Sequence, residues 1–224
     1  MNPPVLLVTA GPSRESIDAV RFLSNGASGT MGIEVARAAL SAGWEVHLAL
    51  GPVSHVPPRG VILHPFISAC DLDKIAVDLW PRVDALVATA AVCDYRPAER
   101  IEGKRKKTAG DWQLRLIRNP DVLAGRSVEK EDEKGSRVLV GFALETDQGE
   151  EEARRKAVNK RLDLVLCNAP DNLGVAMGDY TWLESGKPAL SLPDVAKRDL
   201  AEKIVEFIGT RVASRRGGCV FNGE

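Results

Sequence analysis

Between Arg21 and Gly32 the chain reads RFLSNGASGTMG, with an arginine, an asparagine, two serines and three glycines at the mouth of an amphipathic stretch. The free N–H groups of a helix start, together with its positive dipole end, attract phosphate, and glycine lets backbone come close to it. Gly26, Gly29 and Gly32 therefore fit an anion cradle. A tight turn with close helix packing uses glycine in the same way, and the stretch alone leaves both readings open.

Other groups could serve the same charge. The Asn25 amide both donates and accepts hydrogen bonds, although asparagine is also favoured in left-handed turns. Arg21 can grip a phosphate or carboxylate, or form a surface salt bridge. The run KRKK, Lys104 to Lys107, is either a phosphate clamp or a solvated basic turn. Lys156 and Lys160, four residues apart, share one helix face and could reach one ligand or belong to an ordinary charged face. Ala90, Ala91 and Asp94 follow an apolar run, where small side chains leave backbone groups open to a ligand.

The elements that must position these residues alternate. VLLVTA, WEVHLAL, DALVATAAV, RVLVGFAL and LDLVLCN read as strands, separated by amphipathic stretches. That is the pattern of βαβ units and of an α/β, Rossmann-like, doubly wound, mainly parallel sheet of at least five strands. Met31, Ile33, Val35, Ala36, Ala39 and Leu40 recur at helical spacing, so a helix opens at Ser28 to Gly29 and stops near Gly43. A charged helix is expected over about Asp147 to Arg161. Residues 95–119 break the alternation as a β-hairpin excursion holding the short strand WQLRLI. YTWLES and KPALSL form a second hairpin, and a last helix is expected over Pro193 to Ile208. One domain over 1–210 with a disordered tail over 211–224 is the expected organisation.

About eighteen residues separate the first strand from the first helix, and no GxGxxG occurs. This disfavours a dinucleotide site, as does the lack of an acidic ribose clamp at the end of the second strand, WEVHLALGP. A Rossmann-class nucleotide-dependent reductase and a non-catalytic nucleotide-binding module are the alternatives to an anion-handling enzyme.

Lys and Arg number 30 against 31 Asp and Glu, giving a net charge of -1, so no global field draws the chain to nucleic acid or to a membrane surface. Cys70, Cys93, Cys167 and Cys219 are scattered, without a CxxC pair or a histidine cluster, and read as free thiols of a reducing, cytoplasmic compartment. His47, His55 and His64 read as strand or loop residues without a catalytic role, and no metal-ligand cluster is legible. No secretory leader or stretch of transmembrane length is present in the sequence.

Beyond these individual residues, VTAGPSRESIDAVRFLSNGASGTMG resembles the opening of phosphopantothenoylcysteine synthetase, approximately TAGPTxExxDxVRxxSNxSSGxMG. ATAAVCDYRP, KRKK, NPDVLAG and VGFALET are similar to further segments of that family in the same order, from about Val5 to Asn168. The resemblance implies a two-step ligation. The carboxylate of 4'-phosphopantothenate is activated by CTP to an acyl-cytidylate with release of pyrophosphate, and cysteine then displaces CMP to form an amide. It implies catalytic roles for Lys104, which stabilises charge at the α-phosphate, and for Asn25, which holds the intermediate. Arg21, Ser28, Gly29, Ala90 and Ala91 fall on substrate-binding positions. Thr89, Asp94, Lys104, Pro120, Asp121, Val122, Leu123, Phe142, Lys156 and Lys160 fall on nucleotide-binding positions.

The same resemblance implies magnesium arriving with CTP, a homodimer joined through the excursion with the lysine loop near the partner's site, and a phosphopantothenoylcysteine decarboxylase as a separate partner. No flavin is expected, because the chain begins at the synthetase's first strand. ATP replaces CTP in eukaryotic-type enzymes. Among the departures from the family pattern, Ala27 stands where its first SSG serine is usual, and Cys93 where a small residue such as alanine is usual.

Overall fold

The computed structural model describes residues 2–132, 137–144, 149–169 and 175–217. The first apolar run is β1 (Val5–Ala10). A small hairpin, β2 (Glu15–Ser16) and β3 (Phe22–Leu23), interrupts the path to α1 (Thr30–Ser41), and β4 (Glu45–Leu50) and β5 (Ile62–Pro65) follow. Next come α2 (Ala69–Leu79), β6 (Ala85–Ala88), the hairpin β7 (Tyr95–Pro97) and β8 (Leu116–Arg118), and α3 (Val122–Asp132). The chain then forms β9 (Val138–Leu144), α4 (Gly149–Asn159), β10 (Leu164–Asn168), β11 (Met177–Glu184), β12 (Leu190–Ala196) and α5 (Lys197–Gly217).

Eight strands make one sheet in the order β12-β11-β10-β9-β6-β1-β4-β5. The six from β10 to β5 are mutually parallel, and β11 and β12 continue the sheet antiparallel. The central strands are continuously apolar because both their faces are covered. Leu6, Val8 and Ala10 of β1 join one core with Ile33 and Ala36 of α1 and Leu200 and Ile204 of α5. Leu7 points the other way, into a core with Leu72 and Ala76 of α2, Val122 of α3 and Ala153 of α4. The fold is thus the expected doubly wound α/β sheet. Ser68 opens α2 with a capping box: its hydroxyl accepts from the Asp71 amide at 3.2 Å, and the Asp71 carboxylate accepts from the Ser68 amide at 2.9 Å.

Three boundaries differ from expectation. Pro193 does not start the last helix but lies within β12, which runs on to Ala196. β12 is an edge strand, where a residue without an N–H is tolerated. The last helix does not stop at Ile208, and the segment expected to be a disordered tail from 211 is helical as far as Gly217. Arg211 donates to Glu184 at 2.6 Å, Arg215 to Asp163 at 2.6 Å and Arg216 to Asp84 at 2.7 Å, while Val212 is buried. These long-range partners order residues whose local pattern carries little apolar signal. In the excursion, the WQLRLI run joins a ladder only at its end, where β8 pairs with β7. Residues 147–148 of the expected charged helix lie outside the described residues, as do residues 145–146 of VGFALET and residues 218–224 with Cys219. Among the described residues, no helix is long and apolar enough to cross a membrane.

Candidate functional site

The carboxyl ends of β1 and β6 are zipped together beyond the sheet. The Thr89 amide and hydroxyl both donate to the Thr9 carbonyl, at 3.0 and 2.7 Å, and the Ala90 amide donates to the Thr9 hydroxyl at 3.3 Å. The Ala91 amide donates to the Gly11 carbonyl, and the Ser13 amide donates back to the Ala91 carbonyl, both at 3.0 Å. This pairing holds two loops together at the end of the sheet where open α/β folds bind ligands.

Asn25 is built into the junction. Its amide nitrogen donates to the Ala91 carbonyl at 2.6 Å, and its oxygen accepts from the Ala27 amide at 3.1 Å. One N–H and one lone pair remain for a ligand. The three glycines divide their work. Gly29 caps α1 with φ of 77°, a left-handed conformation that glycine adopts without strain. Gly32 allows close approach, since a Cβ there would lie 2.4 Å from Ala10 Cβ and 2.5 Å from Thr89 Oγ1. Gly26 meets neither demand, with nothing within 4 Å of a Cβ placed on it. Ser28 shares a 2.8 Å hydrogen bond with the Thr30 hydroxyl beside the helix start.

A cavity of about 540 Å³ opens beside this junction. Its lining includes Ala90 and Asp94, the run Pro120 to Leu123 at the start of α3, Phe142 of β9, and both Lys156 and Lys160. Residues far apart in the sequence are thus gathered in one hollow. Lys160 pairs with Asp121 at 2.5 Å. Burial pushes the Asp121 carboxyl up, but hydrogen bonds from Lys160 and the Ala124 amide, with the charges of Lys160 and Lys156, hold it below its usual value. Asn119, not singled out from the sequence, donates its side-chain N–H to the Cys93 carbonyl at 2.7 Å and so ties down the loop that carries Asp94. The Ser13 hydroxyl, also missed, accepts from the Cys93 amide at 3.1 Å.

Lys104 lies elsewhere. With Arg21, Lys106 and Lys107 it lines a separate hollow bordered by Trp112. Arg21 is held there by an ion pair with the buried Asp18. The expected site residues thus fall into three groups: the cavity, the junction that carries Asn25, Ser28, Gly29, Thr89 and Ala91, and the basic hollow. Asp18 falls on the aspartate of the family pattern but carries no role from sequence, because a carboxylate three residues before an arginine is an ordinary surface spacing and its burial beside the distant segment around Arg105 is not legible locally. Among the described residues, no three His, Cys, Asp or Glu side chains converge as a metal site. The Asp121 carboxylate at the cavity is already taken by Lys160.

Residues 2–211 match the family model of the DNA/pantothenate metabolism flavoprotein C-terminal domain. The chain belongs to this family. It is 36% identical over 209 residues to the coenzyme A biosynthesis bifunctional protein CoaBC of Bacillus subtilis, covering 91% of this chain and 50% of that protein. To the protein of the same name from Vibrio vulnificus it is 40% identical over 213 residues, covering 92% and 52%. The chain spans about half the length of these curated relatives. Among solved structures, the C-terminal domain of a CoaBC is similar with a TM-score of 0.79 at 31% identity, over 96% of this chain and 98% of that one. Membership of this family agrees with the motif order from Val5 to Asn168, and the shared sheet accounts for where the cavity lies.

Proposed function

We propose that the chain is a phosphopantothenate–cysteine ligase acting in coenzyme A biosynthesis. The observation that carries this reading is the common cavity in which Ala90, Asp94, Pro120 to Leu123, Phe142, Lys156 and Lys160 meet. Those are positions that the synthetase resemblance assigns to substrate and nucleotide. Kinship with proteins named for coenzyme A biosynthesis supports the same substrate class.

In the proposed reaction the carboxylate oxygen of 4'-phosphopantothenate attacks the α-phosphorus of CTP. A new acyl–O–P bond forms, the bond to the bridging oxygen of the β-phosphate breaks, and pyrophosphate leaves. The amine of cysteine then attacks the acyl carbon, the acyl–O bond breaks, CMP leaves, and the amine proton passes to solvent. Charge stabilisation and positioning are what such transfers chiefly require. Lys156 and Lys160 supply positive charge at the cavity, and Lys104 supplies it at the α-phosphate. Asn25, fixed to the Ala91 carbonyl, holds the acyl-nucleotide through its remaining donor and acceptor. Arg21, Ser28 and Gly29, with Ala90 and Ala91, form the phosphopantothenate side, and Thr89 and Asp94 border the nucleotide. Magnesium would arrive with the nucleotide, held mostly by its phosphates and by water.

Lys104 and the two cavity lysines line different hollows. A homodimer, in which the excursion brings the lysine loop near the partner's cavity, reconciles that separation with one reaction centre. A monomeric mass by multi-angle light scattering at working concentration would count against the dimer. A cytoplasmic setting and a decarboxylase acting on the product complete the proposal.

The deciding experiment is pyrophosphate release from purified protein with 4'-phosphopantothenate and magnesium, comparing CTP with ATP and adding cysteine in a second stage. Release that depends on CTP, followed by 4'-phosphopantothenoylcysteine once cysteine is added, is the expected result. Release with ATP instead changes the donor, and release with neither overturns the ligase.

A further inference from the structure

Lys104 sits in a segment without helix or strand, yet its backbone is held on both sides by the β2–β3 hairpin. The Ala19 amide donates to the Gly103 carbonyl at 3.0 Å, just before the lysine. The Arg105 amide, just after it, donates to the Asp18 carboxylate at 3.1 Å. Earlier in the segment, the Ile101 amide donates to the Ile17 carbonyl at 3.0 Å. The hairpin therefore supports the lysine segment through three successive residues, and at one of them the support is a side chain.

That side chain is saturated. Asp18 is 3% exposed. One of its oxygens accepts from the Val20 and Arg21 amides, each at 2.9 Å, and the other accepts from Arg21 Nε at 3.0 Å, from Arg21 Nη2 and from the Arg105 amide. Arg21 Nη2 reaches on to the Arg105 carbonyl at 3.1 Å. Residue 105 is thus gripped at its amide by Asp18 and at its carbonyl by the arginine that Asp18 orients. The Arg105 guanidinium lies 4.4 Å from the centre of the Trp112 ring and that of Arg21 5.8 Å from it, so Trp112 buttresses the pair. A carboxylate surrounded by this many donors stays ionised, and a charge-assisted bond to a backbone amide holds more firmly than a neutral one.

We infer that Asp18 is a positioning residue for the ligase reaction: through Arg21 and the Arg105 peptide it fixes the backbone of Lys104, and so the place its ammonium reaches. The inference rests on the catalytic reading of Lys104. It assigns Arg21 a share in building the lysine loop in addition to any contact with substrate.

The test uses the full chain. Asp18→Asn keeps the shape of the side chain but removes its charge and replaces one acceptor by a donor. Two readouts are combined. Amide hydrogen exchange resolved by residue should quicken at Arg105 and Ala19, with β1 and β6 unchanged. Pyrophosphate release should lose about 10- to 100-fold in kcat, the scale of a displaced catalytic group, with KM for CTP little altered. In the Lys104→Gln background, Asp18→Asn should cost clearly less than in the wild type, because what Asp18 does through Lys104 is already lost and only its hold on Arg21 remains.

Unchanged exchange at Arg105, wild-type kcat in Asp18→Asn, or a loss that multiplies with that of Lys104→Gln would each overturn the inference. Full activity in Lys104→Gln would instead remove the catalytic reading of the lysine, while the exchange data would still decide whether Asp18 holds the loop. Should Asp18→Asn fail to fold by circular dichroism, Arg21→Gln removes the strap to the Arg105 carbonyl and leaves the carboxylate in place. It should quicken exchange over residues 103–106 to a smaller degree, and no change there overturns the inference.

Discussion

At Gly32 a methyl group would come within 2.4 Å of Ala10 Cβ and 2.5 Å of Thr89 Oγ1, one on β1 and the other on the loop zipped to it, so neither can retreat without moving the junction. Overpacking of this kind costs about 3 kcal/mol, and the better helix propensity of alanine returns about 1 kcal/mol. Gly32→Ala should therefore lower stability by about 2 kcal/mol, which is roughly 4 to 8 °C in melting temperature for a chain of this size. Gly26→Ala meets open space and should stay within about 0.5 kcal/mol. Differential scanning calorimetry of the two variants distinguishes the glycine that packs from the one that does not. At the positions proposed as catalytic, Lys104→Gln should reduce formation of the acyl-nucleotide. Asn25→Asp should let it form but not pass to product, because a carboxylate cannot donate to the Ala91 carbonyl and the loop loses its tie. Rapid-quench analysis of labelled nucleotide checks both, and wild-type turnover in either variant removes that assignment. Asn25 and Lys104 were legible from their motifs. Asp18 and Asn119 stand in the quoted motifs too, but what they hold was not legible, since it consists of backbone groups 87 and 26 residues away.

Helix α5 shows the limit of local pattern at the scale of elements. Its apolar face up to Ile208 was readable, and Leu200, Ile204 and Ile208 are fully buried in one core. Beyond it the sequence RVASRRG carries little apolar signal, and the helix continues because Arg211 and Arg215 meet Asp163 and Glu184 at one end of the sheet. Asp163 is itself buried and accepts from the Leu139 amide at 2.8 Å, joining β9 to the turn before β10. Truncation after Thr210 should therefore uncover the apolar surface beneath Val212 and deprive a buried carboxylate of two cationic partners. A loss of about 2 to 4 kcal/mol follows, combining one apolar side chain with a weakened buried charge. Urea unfolding of the truncated chain should show an earlier midpoint, and an unchanged midpoint would mean that the final turns only decorate the fold. Pro193 misled in the opposite direction. Its preference for the first turn of a helix is real, but a place on the edge strand β12 meets the same need to lack a donor.

For the molecule as a whole, the acid side of the stability curve is set by groups that all act in one direction. Asp18 is held well below the usual carboxylate range by the Arg21 side chain and the amides of Val20, Arg21 and Arg105. Burial pushes Asp71, Asp121 and Glu184 up, but their hydrogen bonds and neighbouring cations outweigh it, and all three end below their ordinary values. A carboxyl with a depressed folded pKa contributes stability above its unfolded value of about 4, and that contribution is lost as pH falls through the folded value. His64 joins them by a different route. Burial and the charges of His47 and Arg82 lower its pKa, so taking up a proton costs the folded state more than the unfolded one as pH drops below about 6.5. On the alkaline side two groups oppose each other. Burial raises Tyr180, so its ionisation works against the folded state above about pH 10, whereas burial lowers Lys197, whose penalty is relieved as pH rises through its folded value. The melting temperature should therefore hold near neutrality, fall gently below about pH 6.5 and fall steeply below about pH 4. His64→Gln should remove the gentle part and leave the steep one, and Asp18→Asn should soften the steep one. Calorimetric scans of the three proteins from about pH 8 to about pH 3 bracket both transitions. A steep loss that begins near the ordinary imidazole value of about 6.5 in the wild type would assign the acid sensitivity to imidazole protonation rather than to the paired carboxylates.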